Sequence, residues 1–403
     1  MTRSELTRRA FATASLAAMW SVQATSAQTS TESGEGSVES LQEELYVDRD
    51  WDDGRGGQIN LSGFTYRDTD QDGEYGLTDV PYLGATVRMV RPDGRAFTRR
   101  SNRNGFSNFA ASVSSEDAVI TIPGEYEFTL IPPRGWHVTS DNQTQHVTVT
   151  ALPGSIGGLV MDHLPHPFGI APDLEIRGSW DALTTAFEDD QLIAIGPNGE
   201  EHEIQSDGEG FFTIAALPGE WRIQGRRGIT DALSVNVSSH PVVVSSVIDS
   251  IVAEERFNSV TVGFDDLATG STLRKVPNGY GGVRWSGLNA ISHQFSSGGE
   301  GYVNCTQSGE YVAYSSSGHP VVISNEDGFD FVGGYFGIAW PSAEGEIIRA
   351  KAYRGDTPIA EDAFSGSSYG AVYFAANYRD ITRLELTTDH YWQFVVDDME
   401  FVV

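Results

Sequence analysis

A series of short turn motifs occurs twice along this 403-residue chain, at nearly matching spacing. The motifs are a proline-containing turn (91–94 and 196–199), a turn ending in Gly-Phe (104–106 and 209–211) and a Pro-Gly-Glu-aromatic turn (123–126 and 218–221). Each is flanked by short runs rich in β-branched and aromatic residues, which is the pattern of β-strands joined by tight turns. Repetition of the whole series predicts two copies of one small β-domain.

A third domain is predicted after the two copies. Its strands are longer and richer in aromatic residues, as in residues 329–336 and 394–401. The predicted domains span residues 57–150, 173–254 and 255–403. We interpret residues 151–172, which contain several prolines, and residues 28–56, which are polar and poor in apolar residues, as linkers.

The first 27 residues predict an export signal. Basic residues precede an apolar run of small residues that is too short to span a bilayer. Arg8 and Arg9, between Thr7 and Phe11, resemble the twin-arginine motif of bacterial signals, and an ordinary secretion signal is the alternative. Either signal predicts a secreted or cell-surface protein, extracellular or periplasmic, with no integral membrane segment after the signal is removed.

Charge and cysteine content exclude other classes. Acidic residues number 56 against 26 basic ones, and the net charge of -30 repels phosphate backbones, so we predict no nucleic-acid partner. Cys305 is the only cysteine, which excludes an intrachain disulfide. We expect it to be a buried apolar side chain rather than a reactive thiol.

Residues 68–79 carry the chemistry that is easiest to interpret. Asp residues at the first, third and fifth positions, followed by glycine at the sixth, can curl around a Ca²⁺ ion, which prefers six to eight oxygen ligands. The predicted ligands are the carboxylates of Asp68, Asp70, Asp72 and Asp79 and the backbone carbonyl of Glu74. The alternative is a solvated acidic turn without metal. We favour the metal because crowded carboxylates repel one another unless a cation lies among them.

The first domain resembles the B-type repeats of serine-aspartate-repeat surface adhesins, which are prealbumin-like sandwiches. The resemblance rests on residues 63–68, 83–87, 104–106 and 123–126. It implies calcium binding by the aspartates named above, except that the family's usual aspartate is replaced here by Gly76.

The other two domains resemble different modules. The second is similar to prealbumin-like and carboxypeptidase-regulatory-like modules and lacks a spaced aspartate loop, so we interpret it as a spacer. The third, through residues 262–267, 277–285 and 394–399, resembles jelly-roll modules of secreted bacterial proteins, some of which bind carbohydrate. The predicted fold class is therefore all-β, with tandem prealbumin-like (Ig-like) β-sandwiches followed by a jelly-roll β-sandwich.

The jelly-roll resemblance also implies candidate sites. The first and last strands of such folds lie together, which would bring Asp265 or Asp266 near Asp397 or Asp398 and predicts a second calcium site with Asp265 and Asp398 as ligands. Exposed aromatic rings could bind sugar, although a tryptophan on a sandwich strand can equally be a core residue. The candidates are Tyr280, Trp285, Tyr335, Trp340, Tyr391 and Trp392, and of these we predict Tyr280, Trp285, Trp340 and Trp392.

Catalytic motifs are not found in the sequence: it has no Gly-Xaa-Ser-Xaa-Gly elbow, no His-Glu-Xaa-Xaa-His and no phosphate-binding glycine loop. We therefore predict a non-enzymatic, calcium-stabilised binding or structural protein whose third domain contacts a glycan or a surface protein. The alternative is a secreted glycan-active enzyme that uses a carboxylate pair such as Glu326 and Asp327.

Overall fold

The computed structural model describes residues 56–57, 61–110, 118–152, 158–227, 232–247, 259–267, 273–293 and 300–403. The export signal and nearly all of the first linker predicted above lie outside the described residues. The chain divides into two compact units, the first ending at Ala171 and the second beginning at Pro172.

The first unit contains only strands among its described residues. They are β1 (Gly56–Gly57), β2 (Leu61–Arg67), β3 (Val80–Pro81), β4 (Thr86–Val90), β5 (Ala96–Arg100), β6 (Phe106–Phe109), β7 (Gly124–Ile131), β8 (Trp136–Val138), β9 (Thr144–Ala151), β10 (Leu159–Met161) and β11 (Phe168–Pro172). One sheet has the order β1-β10-β9-β7-β4-β5; the other has the order β3-β2-β11-β8, with β6 also paired to β2. The unit is therefore a two-sheet sandwich.

Alternation of apolar and polar residues explains which side of each strand faces the core. In β9, Gln145, Val147 and Val149 are buried while the residues between them are exposed. This period of two is expected of a strand with one face on the core and one in solvent. The predicted linker 151–172 is wrong in part, because β10 adds to the edge of β9 and β11 pairs in parallel with β2.

The second unit is also mostly strand. Its strands are β12 (Glu175–Ser179), β13 (Leu192–Ile195), β14 (Glu201–Glu203), β15 (Phe211–Ala215), β16 (Gly219–Gly225), β17 (Leu233–Val237), β18 (Val242–Val244), β19 (Ser259–Val262), β20 (Leu273–Lys275), β21 (Arg284–Ser286), β22 (Leu288–Ser292), β23 (Tyr311–Ser315), β24 (Val321–Ile338), β25 (Ile347–Arg354), β26 (Thr357–Ser365), β27 (Val372–Ala375), β28 (Tyr378–Thr388) and β29 (Phe394–Val402). Its described residues also form two α-helices, α1 (Trp180–Phe187) and α2 (Gly301–Asn304), and four single-turn 3-10 helices.

Sequence predicts the second and third domains as separate bodies, whereas the structure joins them in one unit. Strand β18 pairs in parallel with β12 on one side and with β27 on the other, so a single sheet runs from the second predicted domain into the third. The buried Asp362 carboxylate fastens the junction by accepting hydrogen bonds from the Ser245 hydroxyl (2.7 Å), the Ser246 N–H (2.8 Å) and the Tyr378 hydroxyl (2.6 Å). The predicted boundary at residues 254 and 255 lies outside the described residues.

The all-β fold class, with β-sandwich domains, is confirmed. The core of the second predicted domain lies between the β15-β12-β18 part of the large sheet and the sheet β14-β13-β16-β17, and the larger core of the third domain includes Phe331, Phe336, Phe374 and Phe401. Strand β19, the first of the third domain, pairs with the last strand, β29, as the jelly-roll resemblance implies.

Candidate metal centre

The aspartate loop, residues 68–79, is held between two paired strands. Strand β2 ends at Arg67 and β3 begins at Val80, and these two residues are register partners. Asp68 and Asp79 therefore stand opposite each other where the loop leaves the sheet. Both are almost fully buried, with 1% and 3% of their surfaces exposed.

Backbone amides of the loop turn toward the carboxylates. Asp68 Oδ2 accepts the N–H of Gly73 at 2.9 Å, which closes the tight turn around residues 70–73. Asp79 accepts two, from Thr69 at 2.9 Å and from Gly76 at 2.7 Å. The turn needs glycine at residue 73, because its φ is +81° and a methyl group there would lie 3.1 Å from the Thr139 carbonyl.

Three of the predicted ligands come together. One carboxylate oxygen from each of Asp68, Asp70 and Asp79 lies within 4.8 Å of the other two, and among the described residues no other group of three metal-binding side chains is this close. Asp68 Oδ1 is buried and has no hydrogen-bond partner. A buried carboxylate oxygen without a donor is costly, so this atom calls for a cation or a water molecule.

The electrostatics of the loop point the same way. Burial, together with the negative charges of Asp68 and Asp70, raises the pKa of Asp79 from 3.8 to about 6, against the lowering effect of its two backbone hydrogen bonds. In the adjoining strand β2, the pKa of the Tyr66 hydroxyl is raised, mainly by burial and to a smaller extent by the charges of Asp68 and Asp79. The Tyr66 hydroxyl is itself buried without a hydrogen-bond partner. The backbone hydrogen bonds to Asp79 therefore do not compensate fully for its burial and for the neighbouring negative charges.

Asp72 lies outside this close group, and ligation by the backbone carbonyl of Glu74 stays a prediction. Both side chains are exposed, and Asp72 Oδ1 accepts the N–H of Glu74 at 2.8 Å, as in an ordinary turn. Sequence reasoning missed Thr78, whose hydroxyl donates to Asp70 Oδ2 at 2.8 Å and orients that carboxylate. Only the folded loop places Thr78 beside Asp70.

The donor set suits calcium better than the other common ions. Its members are oxygen donors, from carboxylates on a glycine-containing loop, which is what Ca²⁺ prefers, whereas Zn²⁺ is usually held by Cys and His. Three carboxylates leave further positions for backbone carbonyls or water. The residues present therefore fit a calcium ion.

The second predicted calcium site is not a comparable cluster. Asp398 Oδ1 and Asp265 Oδ2 both approach Gly263, where a methyl group would lie 2.9 Å from the first oxygen and 3.7 Å from the second. The carboxylates are engaged, however: Asp265 Oδ1 accepts the N–H groups of Glu310 and Tyr311, and Asp398 Oδ1 accepts the Ser308 hydroxyl. Binding of calcium by Asp265 and Asp398 stays a prediction.

The four predicted sugar-binding aromatics differ in exposure. Trp285 is 4% exposed and donates its Nε1 hydrogen to the Tyr280 carbonyl, so it is a core residue and its selection was wrong. The Tyr280 ring packs against the core, and its hydroxyl bonds to Asp266. Trp340 is half-buried and donates to Gln393. Only Trp392, at 38%, is exposed enough to offer a ring face.

In the second copy a helix stands where the first copy has its aspartate loop. Within β2, Thr65 N–H donates to the Gly105 carbonyl, and directly after the end of β12, Trp180 N–H makes the matching bond to the Gly210 carbonyl. Trp180 begins α1, which Ser179 caps by accepting the Ala182 N–H. The segment that is a loop in the first copy is therefore helical in the second copy, and the interpretation of that copy as a spacer stays a prediction.

No helix in the described part of the chain combines the length and the apolar character that a membrane crossing requires. No protein-family model matches the chain, and no curated protein matches it.

Solved structures that match number 38. One is the Bacillus anthracis TIE protein, at 10% identity and a TM-score of 0.21. The match covers 46% of this chain and 32% of the TIE protein, so this chain spans about a third of that protein's length. The K2 cleaved adhesin domain of Lys-gingipain shares 11% identity over 36% of this chain and 99% of its own (TM-score 0.25). The CBM51 module from Clostridium perfringens GH95, in complex with methyl-galactose, shares 13% identity over 36% of this chain and all of its own (TM-score 0.21). Scores this low carry no argument about this chain's function.

Proposed function

We propose that the chain is an exported binding or structural protein of the cell surface or extracellular matrix, whose first unit is stabilised by calcium in the aspartate loop. The observation that carries the calcium part is the buried, unpartnered Asp68 Oδ1 beside carboxylate oxygens of Asp70 and Asp79. The export part rests on the first 27 residues of the sequence.

Calcium would act by offsetting the repulsion between the carboxylates of the aspartate loop. Asp68 and Asp79 are both held in low-dielectric surroundings, where like charges repel more strongly than in water. A doubly charged ion between them turns this repulsion into attraction. Because Asp68 follows β2 and Asp79 precedes β3, the ion would also tie together two strands of one sheet.

The binding part of the proposal concerns the second unit, which would contact a glycan or a surface protein. No specific observation favours the alternative of a glycan-active enzyme. Glu326, one member of the carboxylate pair considered for catalysis, is 82% exposed and forms an ion pair with Arg284 at 2.7 Å. An exposed carboxylate that is already paired with arginine has none of the burial that tunes a catalytic acid.

Thermal unfolding of the full chain in calcium and in chelator tests the metal site. With a dissociation constant in the extracellular range of about 10⁻⁴ to 10⁻³ M, 10 mM Ca²⁺ should stabilise the first unit by about 1.4 to 2.7 kcal/mol through mass action. Asp68→Asn should abolish this calcium effect. Asp141→Asn, which changes an exposed aspartate of the same unit, should keep it. A wild-type melting curve that is identical in calcium and chelator would contradict the proposal.

A further inference from the structure

The loop between β28 and β29 presents three consecutive side chains to solvent. The side chain of His390 is 77% exposed, and Tyr391 and Trp392 are 72% and 38% exposed. Tyr391 is the most exposed large apolar residue of the described chain. Large aromatic side chains usually bury much of their surface, so two adjacent exposed rings need an explanation.

The first half of this loop is held by two carboxylate contacts. Asp389 forms a two-point ion pair with Arg349, with N···O distances of 2.6 and 3.0 Å. Glu346, which is 8% exposed, accepts the backbone N–H of His390 at 2.6 Å and lies 2.9 Å from its Nδ1. The contact at Nδ1 orients the ring and leaves Nε2 as the ring nitrogen that a ligand could use on this largely exposed side chain.

The second half is held equally firmly. The Trp392 carbonyl accepts the Thr388 hydroxyl at 2.8 Å. Gln393 Oε1 accepts both the Tyr302 hydroxyl (2.7 Å) and Trp340 Nε1 (3.0 Å), and the Gln393 carbonyl accepts the Ala339 N–H. Trp340, predicted as a sugar-binding residue, thus helps to position the loop through its hydrogen bond to Gln393.

The backbone between these anchors is strained. Tyr391 has φ of +60°, an uncommon conformation for a bulky residue. Its carbonyl lies against Gly318, where an added methyl group would clash with it. Such a conformation persists only where the surroundings enforce it, and it is found disproportionately at binding sites.

We propose that His390, Tyr391 and Trp392 form the ligand-binding face of the second unit and that its ligand is a neutral glycan. A sugar ring has apolar C–H faces that stack on aromatic rings and hydroxyl groups that bond to an imidazole edge, and this loop offers both on a rigid support. The net charge of -30 disfavours an acidic glycan. This inference deepens the binding role proposed above and does not depend on the calcium site.

Affinity electrophoresis of the full chain tests the proposal. The gels contain galactomannan, mixed-linkage β-glucan, arabinoxylan or dextran, with alginate as the acidic comparison. We expect at least one neutral polysaccharide to retard the wild-type protein, and the double variant Tyr391→Ala, Trp392→Ala to weaken that binding by about tenfold or more. The matched control is Leu273→Ala, which removes a 48% exposed apolar side chain of the same unit and should leave retardation unchanged. Circular dichroism of all variants should match wild type, so that a loss of binding is not a loss of fold. The Trp392→Ala change should lower the melting temperature somewhat, because Trp392 is only 38% exposed.

Three results would overturn the inference. The first is retardation by none of the neutral gels or by alginate alone. The second is retardation that survives the double variant, which would place the glycan site elsewhere. The third is concentration-dependent self-association in sedimentation that the double variant abolishes, which would make the face a protein interface. The calcium melting experiment reads residues of the first unit, so its failure and a failure here are separate results.

Discussion

Tyr126 and Trp221 make the same hydrogen bond in the two copies of the repeated sequence. The Tyr126 hydroxyl donates to the carbonyl of Ile122 at 2.7 Å, and Trp221 Nε1 donates to the carbonyl of Leu217 at 2.9 Å, in each case four residues back. Each aromatic residue follows a Pro-Gly-Glu turn whose glycine has φ of +135°. The shared bond shows that the sequence repeat is a structural repeat, with the aromatic polar group fastening the turn to the core.

Replacing Tyr126 by Phe should therefore lower stability without changing the fold. The Ile122 carbonyl loses its side-chain donor, and we expect the free energy of unfolding of the first unit to fall by about 1 kcal/mol. Urea denaturation measures this, and the exposed Tyr391→Phe is the control that should show no change. Equal stability of Tyr126→Phe and wild type would mean that water replaces the tyrosine at no cost.

Stability of the metal-free protein should depend on pH through Asp79. Its pKa is raised from 3.8 to about 6, so between these values the native state binds more protons than the unfolded state. The stabilising contribution of Asp79 is therefore complete below about pH 4 and is lost as the pH rises through about 6. Its size is at most about 3 kcal/mol, and solvent screening of the partly exposed loop reduces it further. The pKa of the buried Asp397 is also raised, by burial and then by Asp398, and it acts in the same direction in the second unit.

Calcium should reverse that trend in the first unit, because the ion binds the ionised carboxylates and protons compete with it. Melting curves at pH 5, 6 and 7 in chelator and in 10 mM Ca²⁺ make the comparison, and Asp79→Asn should remove the contribution of Asp79 to the pH dependence of the first unit while leaving that of the second unit unchanged. A first unit whose metal-free stability rises between pH 5 and pH 7 would contradict this interpretation of Asp79.

Asp362 should be essential to the joint between the second and third predicted domains. Replacement by Ala removes the acceptor for the Ser245 and Tyr378 hydroxyls, which remain buried, and we expect a loss of about 3 kcal/mol or more. Because one sheet spans both domains, calorimetry should show them melting together in wild type and separating or broadening in Asp362→Ala. Asp356→Ala, in an exposed turn, is the control. A single sharp transition at the wild-type temperature would show that the joint does not need Asp362.

Export can be checked independently of the fold. Replacing Arg8 and Arg9 together by Lys should retain the precursor inside the producing bacterium if the twin-arginine route is used, since that route requires the arginine pair. Signal cleavage usually follows a small residue, so mass spectrometry of the exported wild-type protein should find an N-terminus following Ala24 or Ala27. Undiminished export of the double variant would favour the ordinary secretion signal instead.

Local patterns were enough to predict the strands, the repeat and the aspartate loop, because each depends on residues close in sequence. Asp68, Gly73 and Asp79 lie within twelve residues, and their turn chemistry is legible without tertiary information. The joint at Ser245 and Asp362 could not be predicted in this way, since the two residues are 117 positions apart and neither carries a distinctive motif. The exposure of aromatic rings could not be predicted for the same reason. Nothing in the local sequence distinguishes Trp285 from Trp392, and only the packing of the folded chain buries the first and exposes the second.

The parallel pairing of β18 with β27 also bears on proteolysis. Val242, Val243 and Val244 lie in a sheet built mainly from residues beyond position 259, and Ser245 is bonded to Asp362. A protease that cut the backbone once between residues 247 and 259 would yield two fragments that elute together from a sizing column in native buffer. They would part only in denaturant, so a nicked preparation could pass for intact protein until it is run under denaturing conditions.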